Sequence, residues 1–335
     1  MRAAVLTEGA HCEIRDVPAP VPGPGEIRIQ VAAAGICGTD HSIRVGQFPS
    51  ARGRPLIMGH EFSGTVDAVG PGTGGFAPGD RVAADPNFFC RVCEWCARGA
   101  PNLCVAWGAV GLTAPGALAE LVCIPAAGAV HLPDDVSFTA GALIEPLSCV
   151  LHAFDYAGLR PDSTTLIVGA GMLGLSSLIV ARSRGHRVHV IEPHAPRRRR
   201  ALDLGAEQAV APGESLNVTE FDVVIEATGV GEAVVDALCR LRTRGTFLQL
   251  GATSPEVEVA IRPFDVFQRE LRIIGSFSVA DRYPEAADVI RDVADEFESL
   301  VTHTFPLEEF EVAMATMTTP EAVKIHITPN ETGAK

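Results

Sequence analysis

Thr164-Thr165-Leu166-Ile167-Val168-Gly169-Ala170-Gly171-Met172-Leu173-Gly174 is the stretch whose reading decides the fold. Apolar and β-branched residues run straight into a glycine-rich turn, and an apolar helical pattern (Leu175, Leu178, Ile179, Ala181) follows. This order predicts a buried strand, a tight turn and a helix start, the layout of a dinucleotide-binding crossover. Gly169 makes the turn, Gly171 lets backbone approach a pyrophosphate, and Gly174 lets the helix pack close on the strand. Met172 and Leu173 complete the loop. Phosphates are expected at the helix N-terminus, where unpaired N–H groups and the macrodipole favour anions.

The sequence downstream keeps alternating strand and helix. Strands are expected at 165–168, 188–191, 209–211, 223–227, 246–250 and 272–276, with helices at 172–184, 196–204, 231–241 and 263–269. Six strands with crossovers make a doubly wound parallel sheet of Rossmann type, in an α/β chain. Upstream, short strand-like runs at 2–6, 14–17, 26–32, 81–84 and 116–124 are separated by proline and glycine turns, and no helix of normal length fits residues 1–35. Residues 137–158 read as helical, with a break or restart at Glu145-Pro146. The tail carries an amphipathic helix over 283–297 and a strand over 324–328. The expected organisation is a β-rich domain from 1–146, a nucleotide-binding domain from 147–276, and a segment from 277–335 that completes the first domain.

A chain of 335 residues is long for a single core and suits two domains. Its 47% hydrophobic and 20% charged content is that of a globular protein. A net charge of −14 argues against nucleic acid or an anionic membrane as partner, the arginine run 197–200 being the one local exception. Residues 163–181 are uncharged, but the glycines in their middle fit a strand plus helix better than a membrane span. The opening residues do not resemble a signal peptide, and nine cysteines, four of them clustered, suit metal binding in a reducing compartment better than disulfides. A cytoplasmic location is expected.

Cys90, Cys93 and Cys96 recur every third residue, and Cys104 closes the group. Four thiolates so spaced can complete a tetrahedral zinc shell, with Zn–S about 2.3 Å and no open position, which makes such a site structural. A lobe over 85–105 is expected around it. A catalytic metal needs an open position instead. Cys37 and the pair His60-Glu61 offer a thiolate, an imidazole and a carboxylate, each beside glycines, in loops expected to follow strands. Singly each has an ordinary structural reading; together, upstream of the cysteine lobe and the nucleotide fold, they point to a second metal. Glu192, eighteen residues beyond Gly174, is placed to meet both adenosine ribose hydroxyls and to repel a 2′-phosphate. NAD is therefore favoured over NADP, although Arg197 opens a run of residues that bind 2′-phosphates well.

With these residues in view, the chain resembles the zinc-dependent medium-chain dehydrogenase/reductase family, in its alcohol and polyol dehydrogenase branch, along essentially its whole length. The matching motifs are GICGTD (35–40), GHEFSGTV (59–66), GDRV (79–82), the four-cysteine lobe (90–104), EPLSC (145–149) and GAGMLG (169–174). The resemblance implies a GroES-like fold for the discontinuous β-rich domain and two zinc ions per chain. Cys37 and His60 become catalytic zinc ligands, with Glu61 a ligand or close neighbour. Glu145 takes the place where simple alcohol dehydrogenases have a cysteine and sorbitol- and threonine-dehydrogenase-like members have glutamate, giving a harder, oxygen-rich shell.

The implied reaction is NAD-dependent conversion of a secondary alcohol of sugar, polyol or cyclitol type to its ketone, the zinc lowering the pKa of the hydroxyl. Thr39 matches the Ser/Thr hydroxyl of the proton relay. The usual relay histidine is absent: Ser42 stands at its place, and His41, one position earlier, is the candidate to finish the relay, its alternative being a surface histidine. Arg197 matches an arginine common in the family. Threonine 3-dehydrogenase-like oxidation is the nearest alternative, and a non-catalytic nucleotide-binding relative is the alternative of another class. The resemblance also implies a homodimer or homotetramer.

Overall fold

The computed structural model describes residues 1–8, 10–48 and 53–330. The chain divides into two compact units, residues 1–148 with the segment from Val279 onward, and Cys149–Ser278. The crossings of the chain between units therefore fall two residues after 146 and 276.

In the second unit six strands form one parallel sheet. Their spatial order is Gln208–Val210, Arg187–Ile191, Thr164–Val168, Phe221–Glu226, Leu241–Gln249 and Arg272–Gly275. Chain order reverses on either side of Thr164–Val168, so a topological switch point opens at its carboxyl end. All five residues of this central strand are buried, which is why it reads as an unbroken apolar run. Val168 pairs with Ile191 on one side and Glu226 on the other, so the glycine turn, Glu192 and the turn after Glu226 emerge at the same edge. The helices Met172–Ser183, Ala195–Asp203, Gly231–Cys239 and Pro263–Gln268 lie within a residue or two of the ranges the sequence predicts.

The first unit is built on the long strand Glu26–Ile36. Its first half pairs with Leu121–Pro125, its second with Lys324–Thr328, and Glu61–Val69 runs along its other side. Arg81–Ala84 and Ala129–His131 extend the sheet beyond Glu61–Val69, and Val301–Pro306 extends it beyond Lys324–Thr328. The alternating side chains Ile27, Ile29 and Val31 anchor a buried core on one face. A two-stranded ribbon, Asn87–Phe88 with Gly108–Ala109, frames the four-cysteine lobe.

Several local expectations are corrected. Cys37 is followed by a helix, Gly38–Arg44, and Glu61 opens a strand instead of lying in a loop after one. The helical stretch after Ser137 divides at Leu143 into Phe138–Ala142 and Ile144–Ala157. The break precedes Glu145, so Pro146 falls in a first turn, where its missing N–H costs nothing. The expected helix over 283–297 is three short pieces, Tyr283–Val289, a 3₁₀ turn Ile290–Val293, and Ala294–Glu298. Its apolar stripe persists because Tyr283, Ala286, Ile290, Val293 and Phe297 are all buried at helical spacing. The strand Val301–Pro306 and the helix Phe310–Thr316 lie outside the elements expected from the sequence.

Candidate active site

Cys37 ends the strand Glu26–Ile36 and sits at the N-cap of the helix Gly38–Arg44. Its N–H donates to the Asp40 carboxylate at 2.9 Å, and the Gly59 N–H donates to the other Asp40 oxygen at 3.3 Å. That oxygen also lies 3.6 Å from Nδ1 of His60. Asp40 is completely buried, so one carboxylate fixes the loop of Cys37 and the loop of His60 together. Burial alone would depress the His60 pKa, but the charges of Asp40 and Cys37 overcome it and hold the imidazole well above its ordinary value.

Glu61 joins the pair through strand register. It pairs with Gly35, and a Cβ at Gly35 would stand 2.1 Å from a Glu61 carboxylate oxygen, so only glycine leaves room. One ligand atom each from Cys37, His60 and Glu61 lie within 4.8 Å of one another. The set fits a divalent metal of borderline softness, with one thiolate, one imidazole and one carboxylate. Glu145 stands outside that 4.8 Å group. It is buried in the first turn of Ile144–Ala157, where desolvation drives its pKa to about 7 against the pull of His60 and Lys324, with Glu61 adding to the rise.

Thr39 is half-buried, with its hydroxyl 3.7 Å from the Cys37 sulfur. His41 is exposed, and residues two apart on a helix do not share a face, so the structure does not bring the imidazole to Thr39. The sequence reading missed two residues here. Asp40 had a signal, an acidic residue three places after Cys37 at a helix start. Lys324 had a weaker one, a charge on the same side as His326 in an otherwise apolar strand.

The second cysteine group is gathered at the ribbon and the short helix Glu94–Ala97. Cys90, Cys93, Cys96 and Cys104 each place a sulfur within 4.8 Å of the others. The Cys90 N–H points at the Cys104 sulfur (3.3 Å), and the Cys93 N–H at the Cys90 sulfur (3.3 Å). Backbone donors from Cys96 and Val105 pull Cys93 down to about 6, and the Cys90 N–H lowers Cys104. Desolvation and the neighbouring sulfurs push Cys96 up to about 12. N–H groups already directed at sulfur suit thiolates on a metal.

In the second unit the turn holds Gly169 at φ +97°, and a Cβ on Gly174 would lie 1.9 Å from the Gly169 carbonyl oxygen. A Cβ on Gly171 would meet nothing within 4 Å, which leaves open space where backbone can face a ligand. No side chain caps the helix Met172–Ser183, so its first N–H groups remain available to an anion. Met172 and Leu173 lie in its first turn, half-buried. Glu192 is 3% exposed and accepts from the Ala170 N–H at 2.8 Å and the His194 N–H at 2.8 Å. Arg197 is half-buried in the first turn of Ala195–Asp203. Glu226, wholly buried, accepts from the Thr228 N–H (2.7 Å), the Gly229 N–H (3.1 Å), the Thr228 hydroxyl and the Gln249 amide (2.7 Å), tying down two loops at the same sheet edge.

A switch-point sheet with a phosphate turn, a four-thiolate lobe and a Cys-His-Glu group define the class: a zinc-dependent, nicotinamide-linked oxidoreductase. The chain matches the alcohol dehydrogenase GroES-like domain over residues 23–134 and the glucose dehydrogenase C-terminus over 138–327. It belongs to the zinc-dependent medium-chain dehydrogenase/reductase family, in the alcohol and polyol dehydrogenase branch. It is 31% identical to D-altritol 5-dehydrogenase of Agrobacterium fabrum, over 92% of this chain and 94% of that one. It is 33% identical to sorbitol dehydrogenase of Gallus gallus, over 96% and 95%. A protein of Sinorhizobium meliloti 1021 solved bound to NADP superposes with a TM-score of 0.93 at 34% identity, over 98% of this chain and 99% of that one. The activity is the interconversion of a secondary alcohol and its ketone, with zinc and a nicotinamide coenzyme. No helix among the described residues is long and apolar enough to cross a membrane.

Proposed function

We propose that the substrate is a polyol, sugar or cyclitol, oxidised reversibly at a secondary hydroxyl at the Cys37–His60–Glu61 group, with Glu145 as a nearby carboxylate and one coordination place left for the substrate oxygen. The observation that carries this reading is the convergence of those three ligand atoms within 4.8 Å beside a second, buried carboxylate. Oxygen donors make a harder site than a second thiolate would, suited to a hydroxyl-rich ligand. The similarity to D-altritol 5-dehydrogenase and sorbitol dehydrogenase supports the same class. A zinc ion held there supplies Lewis acidity that lowers the pKa of an alcohol, and nicotinamide accepts the hydride.

The chain's own residues do the rest. Asp40 holds the loops of Cys37 and His60. Thr39, beside Cys37, takes the alcohol proton and releases its own hydroxyl proton, which leaves toward solvent past the half-buried Ser42, three residues on along the same helix. Cys90, Cys93, Cys96 and Cys104 hold a closed structural zinc. Gly169, Gly171, Met172, Leu173 and Gly174 seat the pyrophosphate, and Glu192 receives the adenosine ribose. Two main-chain N–H groups keep the Glu192 carboxylate at the turn, where it opposes a 2′-phosphate, so NAD is the preferred coenzyme. The NADP bound to the Sinorhizobium protein favours the second reading, in which Arg197 and its neighbours take the phosphate.

A panel of polyols, cyclitols and threonine with NAD and then NADP, followed by absorbance of the reduced coenzyme, tests both choices. The expected result is turnover of a polyol with NAD at a kcat/KM at least about tenfold that with NADP. Turnover of threonine alone, or a preference for NADP, overturns the corresponding half.

Thiolates that hold zinc survive in a reducing compartment, which supports a cytoplasmic location. Self-association is proposed through the edge strand Arg272–Gly275, which has a neighbour on one side only among the described residues, with Phe264, Phe267 and Ile273 exposed around it. Sedimentation of a homodimer or homotetramer supports this assembly, and a monomer at micromolar concentration excludes it.

A further inference from the structure

Lys324 opens the strand Lys324–Thr328 and is 3% exposed, an expensive place for an ammonium group unless it is paired. Its Nζ donates to the Glu61 carboxylate and, at 3.1 Å, to the Ile36 carbonyl. The two residues are 263 positions apart in sequence and meet because their strands flank Glu26–Ile36 on opposite sides. Gly35 lies between, paired with Glu61 on one side and His326 on the other. The oxygen that Lys324 holds, Oε2, is the one a Cβ at Gly35 would strike at 2.1 Å. The missing side chain at Gly35 thus opens the passage through which ammonium and carboxylate join.

We propose that Lys324 is a positioning residue that keeps one oxygen of Glu61 off the metal and so preserves an open place for the alcohol. The inference rests on reading Cys37, His60 and Glu61 as a metal site. With Oε2 engaged by ammonium, Glu61 can offer the ion only its other oxygen. Without that cation a buried carboxylate beside a dication turns to it with both oxygens, because the attraction is strong where water is scarce. A site so filled resembles a closed structural site more than an open catalytic one.

The test uses the full-length enzyme loaded with zinc, and the same protein with cobalt(II) in place of zinc, comparing wild type, Lys324→Met, Lys324→Arg and Lys324→Met/Glu61→Gln. Cobalt d–d absorption is taken as a difference against Cys37→Ser, so that only the site at Cys37 contributes. Lys324→Met is expected to retain two metals per chain but, with a second carboxylate oxygen on the ion, to lose the one at Cys37 to a chelator about tenfold more slowly. Its cobalt bands should weaken to roughly half or less, as higher coordination numbers require, and kcat should fall while the KM for NAD stays. Lys324→Arg should keep the wild-type spectrum, and adding Glu61→Gln to Lys324→Met should restore band intensity. Should Lys324→Met fail to fold, Lys324→Gln and Glu61→Gln are read in the same way, the first with weakened bands and the second with full ones. Wild-type spectra and chelation rates in the Lys324 variants overturn the proposal and leave the metal site standing. A wild-type protein whose metal content does not change on Cys37→Ser overturns the site itself.

Discussion

Asp40 shows how much of the site depends on a residue that need not touch a metal. It satisfies the N–H groups of Cys37 and Gly59 and sets a negative charge beside Nδ1 of His60. Replacing it with alanine leaves two donors unpaired in a buried place, which costs about 1–3 kcal/mol each. Asp40→Ala should therefore unfold several degrees earlier and lose activity by about 10–100-fold, the usual range for partners of metal ligands. Asp40→Asn, which keeps the shape and loses the charge, should fall between. Thermal unfolding, zinc content and steady-state kinetics check the series; an active, zinc-replete Asp40→Ala would show that His60 is oriented by something else. At this scale Cys37, His60, Glu61 and the four lobe cysteines, which the structure gathers into two groups, were legible as candidates because each stands in a short motif whose spacing carries chemistry. Lys324 was hidden because its partner is 263 residues away, and only strand register brings them together. His41 was a candidate through its sequence proximity to Thr39, which says nothing about which side of a helix a residue occupies.

Among the elements, the glycine turn and its helix separate folding from binding. Gly174 has no room for a Cβ, whereas the position of Gly171 opens on empty space. Gly174→Ala should lower the thermal midpoint and weaken coenzyme binding together, since the Gly169 carbonyl must move. Gly171→Ala should fold as stably as wild type yet bind NADH at least about tenfold more weakly, the added methyl standing where backbone approaches the pyrophosphate. NADH fluorescence titration beside a melting curve distinguishes the two, and equal effects on both variants would contradict the division. The strands and helices of this unit were legible because each buried strand is a short apolar run ended by glycine or a carboxylate. The elements of 301–316 were not, because Val301–Pro306 is half-exposed and polar, and Phe310–Thr316 is shorter than two full turns.

For the whole molecule, the return of the chain from Val279 onward is what completes the first unit's sheet, and it also brings in His326. This ring is 1% exposed, and neither nitrogen has a hydrogen-bond partner among the described residues. Burial, helped by the charge of Lys324, lowers its pKa to about 3 from an ordinary 6.5. Below pH 6.5 the unfolded chain takes up a proton there that the native protein refuses, so stability present above 6.5 is lost as pH falls toward 3. Comparing wild type with His326→Leu cancels the other titrating groups. The wild type should lose about 1 kcal/mol more per pH unit between pH 6 and 4, by urea unfolding, and parallel curves would place the proton elsewhere. The two-unit organisation was legible from the change of rhythm at Thr164, whereas the pairing of Lys324–Thr328 with Glu26–Ile36 was not, since no local pattern specifies which strand a distant one joins.

Zinc counting against Cys37→Ser tests the central claim most directly. The wild type should hold two zinc ions per chain, and Cys37→Ser one, retained by the four-cysteine lobe. The variant should still bind NADH and should no longer oxidise any polyol. One zinc per chain in the wild type, or a Cys37→Ser protein that keeps both its metal and its turnover, would contradict the account.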